Sequence, residues 1–186
     1  FVIGDVSGKG VPAALFMAVT KTLIKSFAKE GITPEEILSH VTEELAADND
    51  DCMFVTLFCG VLNTQTGEIH FANAGHKPPM IVKKDGAVEW LPRAKSLVAG
   101  AMPGVRYEGE NFRLASGDSL FLYTDGVTEA MNHADDLFSE QRLENDLVIS
   151  ADLEIKDAIR TIMDSIDRFA DGAPQSDDIT MMMIRY

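Results

Sequence analysis

The chain opens Phe1-Val2-Ile3-Gly4-Asp5-Val6-Ser7-Gly8-Lys9-Gly10, an apolar strand that runs into a turn of three glycines with an aspartate at the exit. Two later stretches also set aspartates where strand meets loop: Leu120-Phe121-Leu122-Tyr123-Thr124-Asp125-Gly126, and Ser176-Asp177-Asp178-Ile179-Thr180. Carboxylates at strand ends are the hard oxygen ligands that Mg²⁺ or Mn²⁺ takes, and a fold can gather them although the sequence scatters them. The pattern points to metal-dependent phosphate chemistry.

Each stretch also has a plainer reading. Asp5 is a suitable turn residue, Asp125-Gly126 a suitable hairpin turn, and Asp177-Asp178 a suitable acidic strand boundary. The hairpin reading is weakened by Val127-Thr128-Glu129-Ala130, which does not resemble a tight return strand. Asp177 and Asp178 are neighbours and point to opposite faces, so at most one of them faces a common site. A phosphate-loop reading of the first stretch fails, because three residues rather than four separate Gly4 from Gly8-Lys9 and Gly10 stands where Ser or Thr is required. What remains is a turn in which Asp5 offers a carboxylate and Val6 a backbone carbonyl. Gly75-His76-Lys77-Pro78-Pro79 lies between two strands, where a lone histidine is as a rule a hydrogen-bonded loop residue; His40, His70 and His133 show no partner in sequence.

Other hydrolytic chemistries are excluded. No Gly-x-Ser-x-Gly elbow and no zinc-site spacing of Cys or His occurs. A cysteine phosphatase is excluded as well, since the sixth residue after Cys52 is Phe58 and after Cys59 is Gln65, neither an arginine. The two cysteines lie seven residues apart, in and just ahead of one predicted strand, about 23 Å along an extended chain, and cannot bridge. Free thiols imply a reducing, cytoplasmic setting.

With 186 residues, 46% hydrophobic and 25% charged, the chain has the size and composition of one globular domain. No apolar run approaches the roughly 18 residues of a membrane span, so no direct membrane contact is expected. A net charge of −14 argues against nucleic acid but not against a phosphorylated substrate held through metal cations. A start at Phe1 inside a strand reads as an N-terminally truncated fragment of a longer regulatory protein.

The periodicities give alternating helix pairs and strand runs. A helix enters at Pro12, carries Leu15, Val19, Leu23 and Phe27 on its apolar face and stops by Gly31. A second starts at a Thr33–Glu36 capping box and carries Ile37, Leu38, Val41 and Leu45, fraying in Asp48-Asn49-Asp50-Asp51. Strands are expected over Phe54–Leu62, Glu68–Asn73, Met80–Lys83, Val88–Leu91, Tyr107–Leu114 and Ser119–Tyr123, with an irregular loop over Arg93–Pro103. Thr128–Ser139 reads as a surface segment, Ile155–Phe169 as a long helix and Ile179–Tyr186 as a closing strand. The fold class is α+β, with helices outside antiparallel sheets.

Taken in order, these segments resemble the PP2C-like (PPM) serine/threonine phosphatases of the SpoIIE/RsbU type. The matching stretches are Gly4 to Leu15, Asn73 to Pro79, Gly117-Asp118 through Tyr123 to Ala130, Leu137 to Leu143, and Asp177 to Thr180. The resemblance implies a central antiparallel β-sandwich flanked by helix pairs, with N-terminal strands missing from this chain. It implies two Mn²⁺ or Mg²⁺ ions: Asp5 bridging them, the Val6 carbonyl on one, Asp125 and Asp177 on the other, and Asp178 as second choice. Gly75 and His76 would lie near the mouth of the site. The ions would activate a water for in-line attack on phosphoserine or phosphothreonine.

The implied substrate is a phosphorylated anti-sigma-factor antagonist in a bacterial partner-switching circuit, and the implied neighbour is an N-terminal sensory or receiver domain. One departure stands out: the family's upstream Gly-Gly-Asp-type motif, whose aspartate helps hold the second ion, precedes the point where this sequence starts. The fragment is therefore expected to hold the second ion poorly and to be weakly active. Its unpaired sheet edge favours a homodimer. The rival reading is a catalytically inactive module of the same fold that binds a signalling partner. A metal-dependent nuclease or other phosphodiesterase explains the carboxylates but not the family-like stretches. Ser139 stands where the family more often has glycine.

Overall fold

A computed structural model describes residues 1–47, 49–93 and 95–186. The expected fray at Asp48–Asp51 and the expected loop at Arg93–Pro103 each include one residue, Asp48 and Ala94, that lies outside the described residues. The elements run β1 (Val2–Val6), α1 (Gly10–Phe27), α2 (Pro34–Ala47), β2 (Val55–Leu62), β3 (Glu68–Ala74), β4 (Met80–Val82) and β5 (Val88–Trp90). They continue with β6 (Glu110–Arg113), β7 (Ser119–Tyr123), α3 (Asp125–Thr128), α4 (Ser139–Ser150), α5 (Ile155–Ala170) and β8 (Met181–Arg185). The chain forms two compact units, Phe1–His76 with Ala94–Arg113, and Lys77–Arg93 with Leu114–Tyr186. Each has one four-stranded antiparallel sheet and helices, which is the expected α+β class.

In the first unit the sheet order is β1-β2-β3-β6. The capping box forms as read: the Thr33 amide donates to Glu36 Oε2 at 2.9 Å, and the Glu36 amide to Thr33 Oγ1 at 3.4 Å. Fixed at that end, α2 lays Ile37, Leu38, Val41 and Leu45 against Val55, Leu57, Cys59, Ala72 and Ala74 of the sheet. The opposite face of the strands carries a row of rings, Phe1, Phe58, Phe71 and Phe112, in successive contact. Helix α1 departs from the sequence reading. It begins at Gly10, two residues before Pro12, and ends at Phe27 rather than near Gly31. Its inward face is Phe16, Thr20, Leu23, Ile24 and Phe27, whereas Leu15 and Val19 face out, 63% and 52% exposed. Two apolar stripes run along this helix, and periodicity alone does not say which one α2 and the core cover.

The His70 side chain ties α2 to the sheet in this unit. Its Nε2 lies 2.9 Å from Glu35 Oε2 and its Nδ1 2.9 Å from Asn111 Oδ1, so α2, β3 and β6 meet at one imidazole. Burial alone would lower the imidazole's pKa. The bonds to Asn111 and Glu35, with the charges of Glu35 and Glu68, outweigh it and raise the pKa above the usual 6.5. Burial likewise opposes ionisation of Glu35. Hydrogen bonds from its own backbone amide, Thr33 and His70, with the His70 charge, prevail and lower its pKa below the usual 4.5. A raised imidazole pKa contributes stability fully below pH 6.5, lost as pH climbs through the raised value; the lowered carboxyl pKa contributes above pH 4.5, lost as pH falls through its own. Double-mutant cycles of Glu35→Ala with His70→Ala should therefore give a coupling of about 0.5 kcal/mol between those limits. The coupling should fade as pH rises past the imidazole's titration. A coupling that strengthens with rising pH would refute this.

In the second unit the sheet order is β5-β4-β7-β8. Every residue of β7 is buried, and Phe121 and Tyr123 pack with Met80, Leu143, Leu147, Ile162 and Ile166. The long helix appears as α5, its Ala158, Ile162 and Ile166 inward as the isoleucine spacing requires. Two corrections apply here. Thr128–Ser139 is not a surface segment throughout: Thr128 at the end of α3 and Ala130 are buried, and Phe138 is 1% exposed. Helix α4 was not legible in the periodicity, because only Leu143, Leu147 and Ser150 of its twelve residues are buried. Strand β6 is shorter than read; Tyr107, ahead of it, shares a buried hydrogen bond with Thr42 of α2 at 2.9 Å, in the first unit.

Ser139 opens α4 with φ of +74°, a left-handed conformation that costs a residue with a Cβ about 1 kcal/mol. Ser139→Gly should raise the thermal midpoint, by up to about 1 kcal/mol of stability. A fall in the midpoint would show that the serine hydroxyl outweighs the backbone strain.

Candidate functional site

The first unit builds a frame around Asp5. Asp5 is the fourth residue of β1, half-buried, with Thr56 of β2 as its register partner. The Thr56 hydroxyl reaches back to the Asp5 carbonyl at 3.4 Å and to His76 Nδ1 at 2.8 Å. His76 is buried and held at its backbone by Asn73: its amide donates to Asn73 Oδ1 at 2.7 Å, and Asn73 Nδ2 donates to its carbonyl at 3.1 Å. Gly75 makes that loop possible. Its φ is +71°, and a Cβ there would stand 2.8 Å from Val98 Cγ1. The expected hydrogen-bonded loop histidine is thus what the structure shows, and the loop is braced against the strand opposite Asp5. Val6 ends β1, and the following turn is closed by the Ser7 amide to the Phe54 carbonyl and the Phe54 amide to Ser7 Oγ, both 2.9 Å.

The second unit brings Asp125 and the 176–180 segment together. Asp125 is the first residue of α3, half-buried, directly after β7. Thr124 does not cap that helix with its side chain. Its hydroxyl donates instead to the Asp178 carbonyl at 2.9 Å and accepts from the Thr180 amide at 3.0 Å, while its own amide donates to the Thr180 carbonyl at 3.0 Å. Ser176 Oγ adds a bond to the Glu129 carbonyl at 3.1 Å. So laced, the backbone at Asp177 and Asp178 lies directly on Gly126: a Cβ there would collide with the Asp178 carbonyl oxygen and stand 3.2 Å from the Asp177 carbonyl carbon. Asp177 is half-buried, its Oδ1 accepting from the Asp178 amide at 2.8 Å; Asp178 is exposed, its carbonyl turned to Thr124. Burial raises the pKa of Tyr123, the last residue of β7, and the charges of Glu140 and Asp125 add to this against the opposing Arg93, so the phenol stays neutral.

The structure therefore gathers the sequence-predicted residues in two sets, Asp5, Val6, Gly75 and His76 in the first unit and Asp125, Asp177 and Asp178 in the second. Sequence reasoning gave no role to Thr56 and Thr124, the residues that fix each set. The signal for Thr124 was a buried hydroxyl residue between an apolar strand and an aspartate. Among the described residues no group of three or more His, Cys, Asp or Glu side chains could enclose a metal ion. In kind, the carboxylates at the β7 and β8 ends match the oxygen donors of a hard divalent ion, with no cysteine or histidine in that set to favour a softer one.

The family model for Stage II sporulation protein E (SpoIIE) matches residues 1–186, the whole chain. The chain belongs to the SpoIIE family. The family resemblance read from the motifs is thereby shown, and the family is that of PP2C-type serine phosphatases. Among curated proteins the chain is 31% identical to Protein IcfG of Synechocystis sp. over 98% of its length, and 30% identical to Phosphoserine phosphatase RsbU of Bacillus subtilis over 98%. It spans 33% of the former and 54% of the latter. The SiaA-PP2C domain of Pseudomonas aeruginosa shares the fold, with a TM-score of 0.85 at 21% identity over 100% of this chain and 74% of that one. No helix among the described residues is long and apolar enough to cross a membrane.

Proposed function

We propose that this SpoIIE-family chain is the phosphatase domain of a longer regulatory protein and hydrolyses phosphoserine or phosphothreonine on a small regulatory protein of the anti-sigma-factor antagonist type, with Mn²⁺ or Mg²⁺ required. The observation that carries the reading is the lacing of the Asp178 carbonyl and the Thr180 amide onto Thr124, which lays the Asp177 backbone against Gly126 of the Asp125 turn. A threonine that bonds across to the neighbouring strand end, and a glycine that admits its backbone, serve to hold two carboxylates in place.

In the second unit Asp125 and Asp177 would hold an ion, and in the first Asp5 and the Val6 carbonyl would offer oxygens of the same kind; Asp178 turns its carbonyl to Thr124 and is the weaker choice. Divalent ions, when bound, would supply an acidified water and offset phosphoryl charge. What the chain itself does is positioning. Thr56 and His76 brace the strand behind Asp5, and Thr124 and Gly126 fix the angle at which Asp125 and Asp177 are presented. A groove of about 530 Å³ begins at Thr128 and Glu129, one helical turn from Asp125, and is lined further by Trp90, Leu137 and Glu140. It offers an apolar and acidic seat for the polypeptide that flanks a phosphorylated side chain, which favours a protein substrate over a small phosphate ester.

The test is hydrolysis of a phosphoserine peptide and of a small aryl phosphate across a Mn²⁺ titration. The proposal expects turnover that rises with Mn²⁺, disappears with EDTA and is faster on the peptide. Metal that binds without any turnover, in a chain extended upstream as well, would favour the inactive partner-binding module instead.

A further inference from the structure

The outward stripe of α1 has no role in the proposed chemistry. Val11, Leu15 and Val19 are 72%, 63% and 52% exposed, and Ala14 and Ala18 beside them are exposed as well. At 100° per residue these five side chains share one face, roughly opposite the Phe16, Thr20, Ile24 and Phe27 face that packs on α2 and the core beneath it. Lys21 and Lys25 are exposed, follow one another at i,i+4 along one edge of the stripe, and form no ion pair among the described residues. The setting is distinctive in a chain of net charge −14: between Asp5 and Glu30 there is no acidic residue at all, and every charge there is a lysine, Lys9, Lys21, Lys25 or Lys29.

We propose that the outer face of α1 is a docking surface for an acidic amphipathic helix of a partner protein. Two features select that occupant, and two other occupants fit poorly. Small side chains at 14 and 18 allow a second helix to approach closely, with Val11, Leu15 and Val19 filling its grooves. The lysines on one edge match glutamates or aspartates along the flank of an incoming helix and reject basic ones. A second α1 is a poor occupant, since it would bring lysines to lysines. A membrane is a poor one too: the stripe holds no aromatic side chain to enter the headgroup region, and the chain's net charge repels anionic lipid. The inference does not depend on the phosphatase reading, because none of these residues belongs to the Asp5 or Asp125 sets.

The probe is a labelled helical peptide of about 18 residues with leucine and alanine on one face and glutamate along its flanks, beside a twin with lysine in place of glutamate. Anisotropy titrations would use the whole chain, Leu15→Glu, and Lys21→Glu with Lys25→Glu; all three positions are exposed, so folding should be kept, and circular dichroism checks it. The glutamate peptide should bind the parent chain and protect α1 amides from exchange. Its affinity should fall at least about tenfold in Leu15→Glu, and about tenfold with a flatter salt dependence in the lysine reversal. Equal binding of the lysine twin, binding indifferent to Leu15, or no binding would overturn the proposal. So would Leu15-dependent binding to phosphatidylserine vesicles in its place, or a Leu15-dependent dimer in sedimentation.

Discussion

Gly126→Ala should lower the chain's stability by about 1–3 kcal/mol and weaken Mn²⁺ binding at least about tenfold. The added methyl has no free direction. It would collide with the Asp178 carbonyl oxygen and come within 2.9 Å of the Asp178 carbonyl carbon, and these are backbone atoms that the Thr124 hydroxyl holds in place. A flexible side chain could swing aside; a peptide group fixed by hydrogen bonds can do so only by breaking them, and a buried bond lost from Thr124 costs about 1–3 kcal/mol by itself. Relaxation would push the 176–180 segment away from α3 and carry Asp177 with it. Thermal unfolding and a metal titration on the same protein separate the two effects. An unchanged midpoint would mean that the packing between Gly126 and the Asp178 carbonyl is looser than described.

Asp125→Asn should cut metal-dependent phosphatase turnover by more than about a hundredfold while leaving the fold intact. Loss of a residue that only orients a metal ligand costs about 10–100-fold, so loss of a ligand should cost more. The substitution keeps the shape of the side chain and removes the charge that attracts a divalent ion. It should not unfold the chain, because the Asp125 contacts that structure α3 are made by its backbone carbonyl, which accepts from the Glu129 amide at 2.8 Å and from Thr128 Oγ1 at 3.3 Å. Steady-state rates at saturating Mn²⁺, with circular dichroism on the same samples, check both halves. Retained turnover would remove Asp125 from the site.

The strand-end aspartates were readable because their signal is local: an apolar strand, a carboxylate, then glycine or a turn. The capping box of α2 and the isoleucine face of α5 were readable for the same reason, since cap and spacing sit within one element. What failed needed knowledge of which surface an element would meet. Helix α1 has two apolar stripes, and α2 with the core beneath it covers the one with Phe16 and Ile24 rather than the one with Leu15 and Val19. Helix α4 buries too few side chains to show a period. Thr124 and Thr56 act across strands, on Asp178 and His76, at sequence separations of 54 and 20, so no window of sequence contains both partners. The sequence reading also left Asp177 and Asp178 as alternatives for one position, a matter of which neighbour turns its carbonyl to Thr124.

That choice leads to the most direct measurement. Calorimetric titration of Mn²⁺ into the chain, into Asp177→Asn and into Asp178→Asn tests whether strand-end carboxylates laced by Thr124 form a metal centre. The account predicts saturable binding in the parent, binding lost or weakened more than about a hundredfold in Asp177→Asn, and binding largely kept in Asp178→Asn. Binding unchanged in Asp177→Asn, or none in the parent chain, would contradict it.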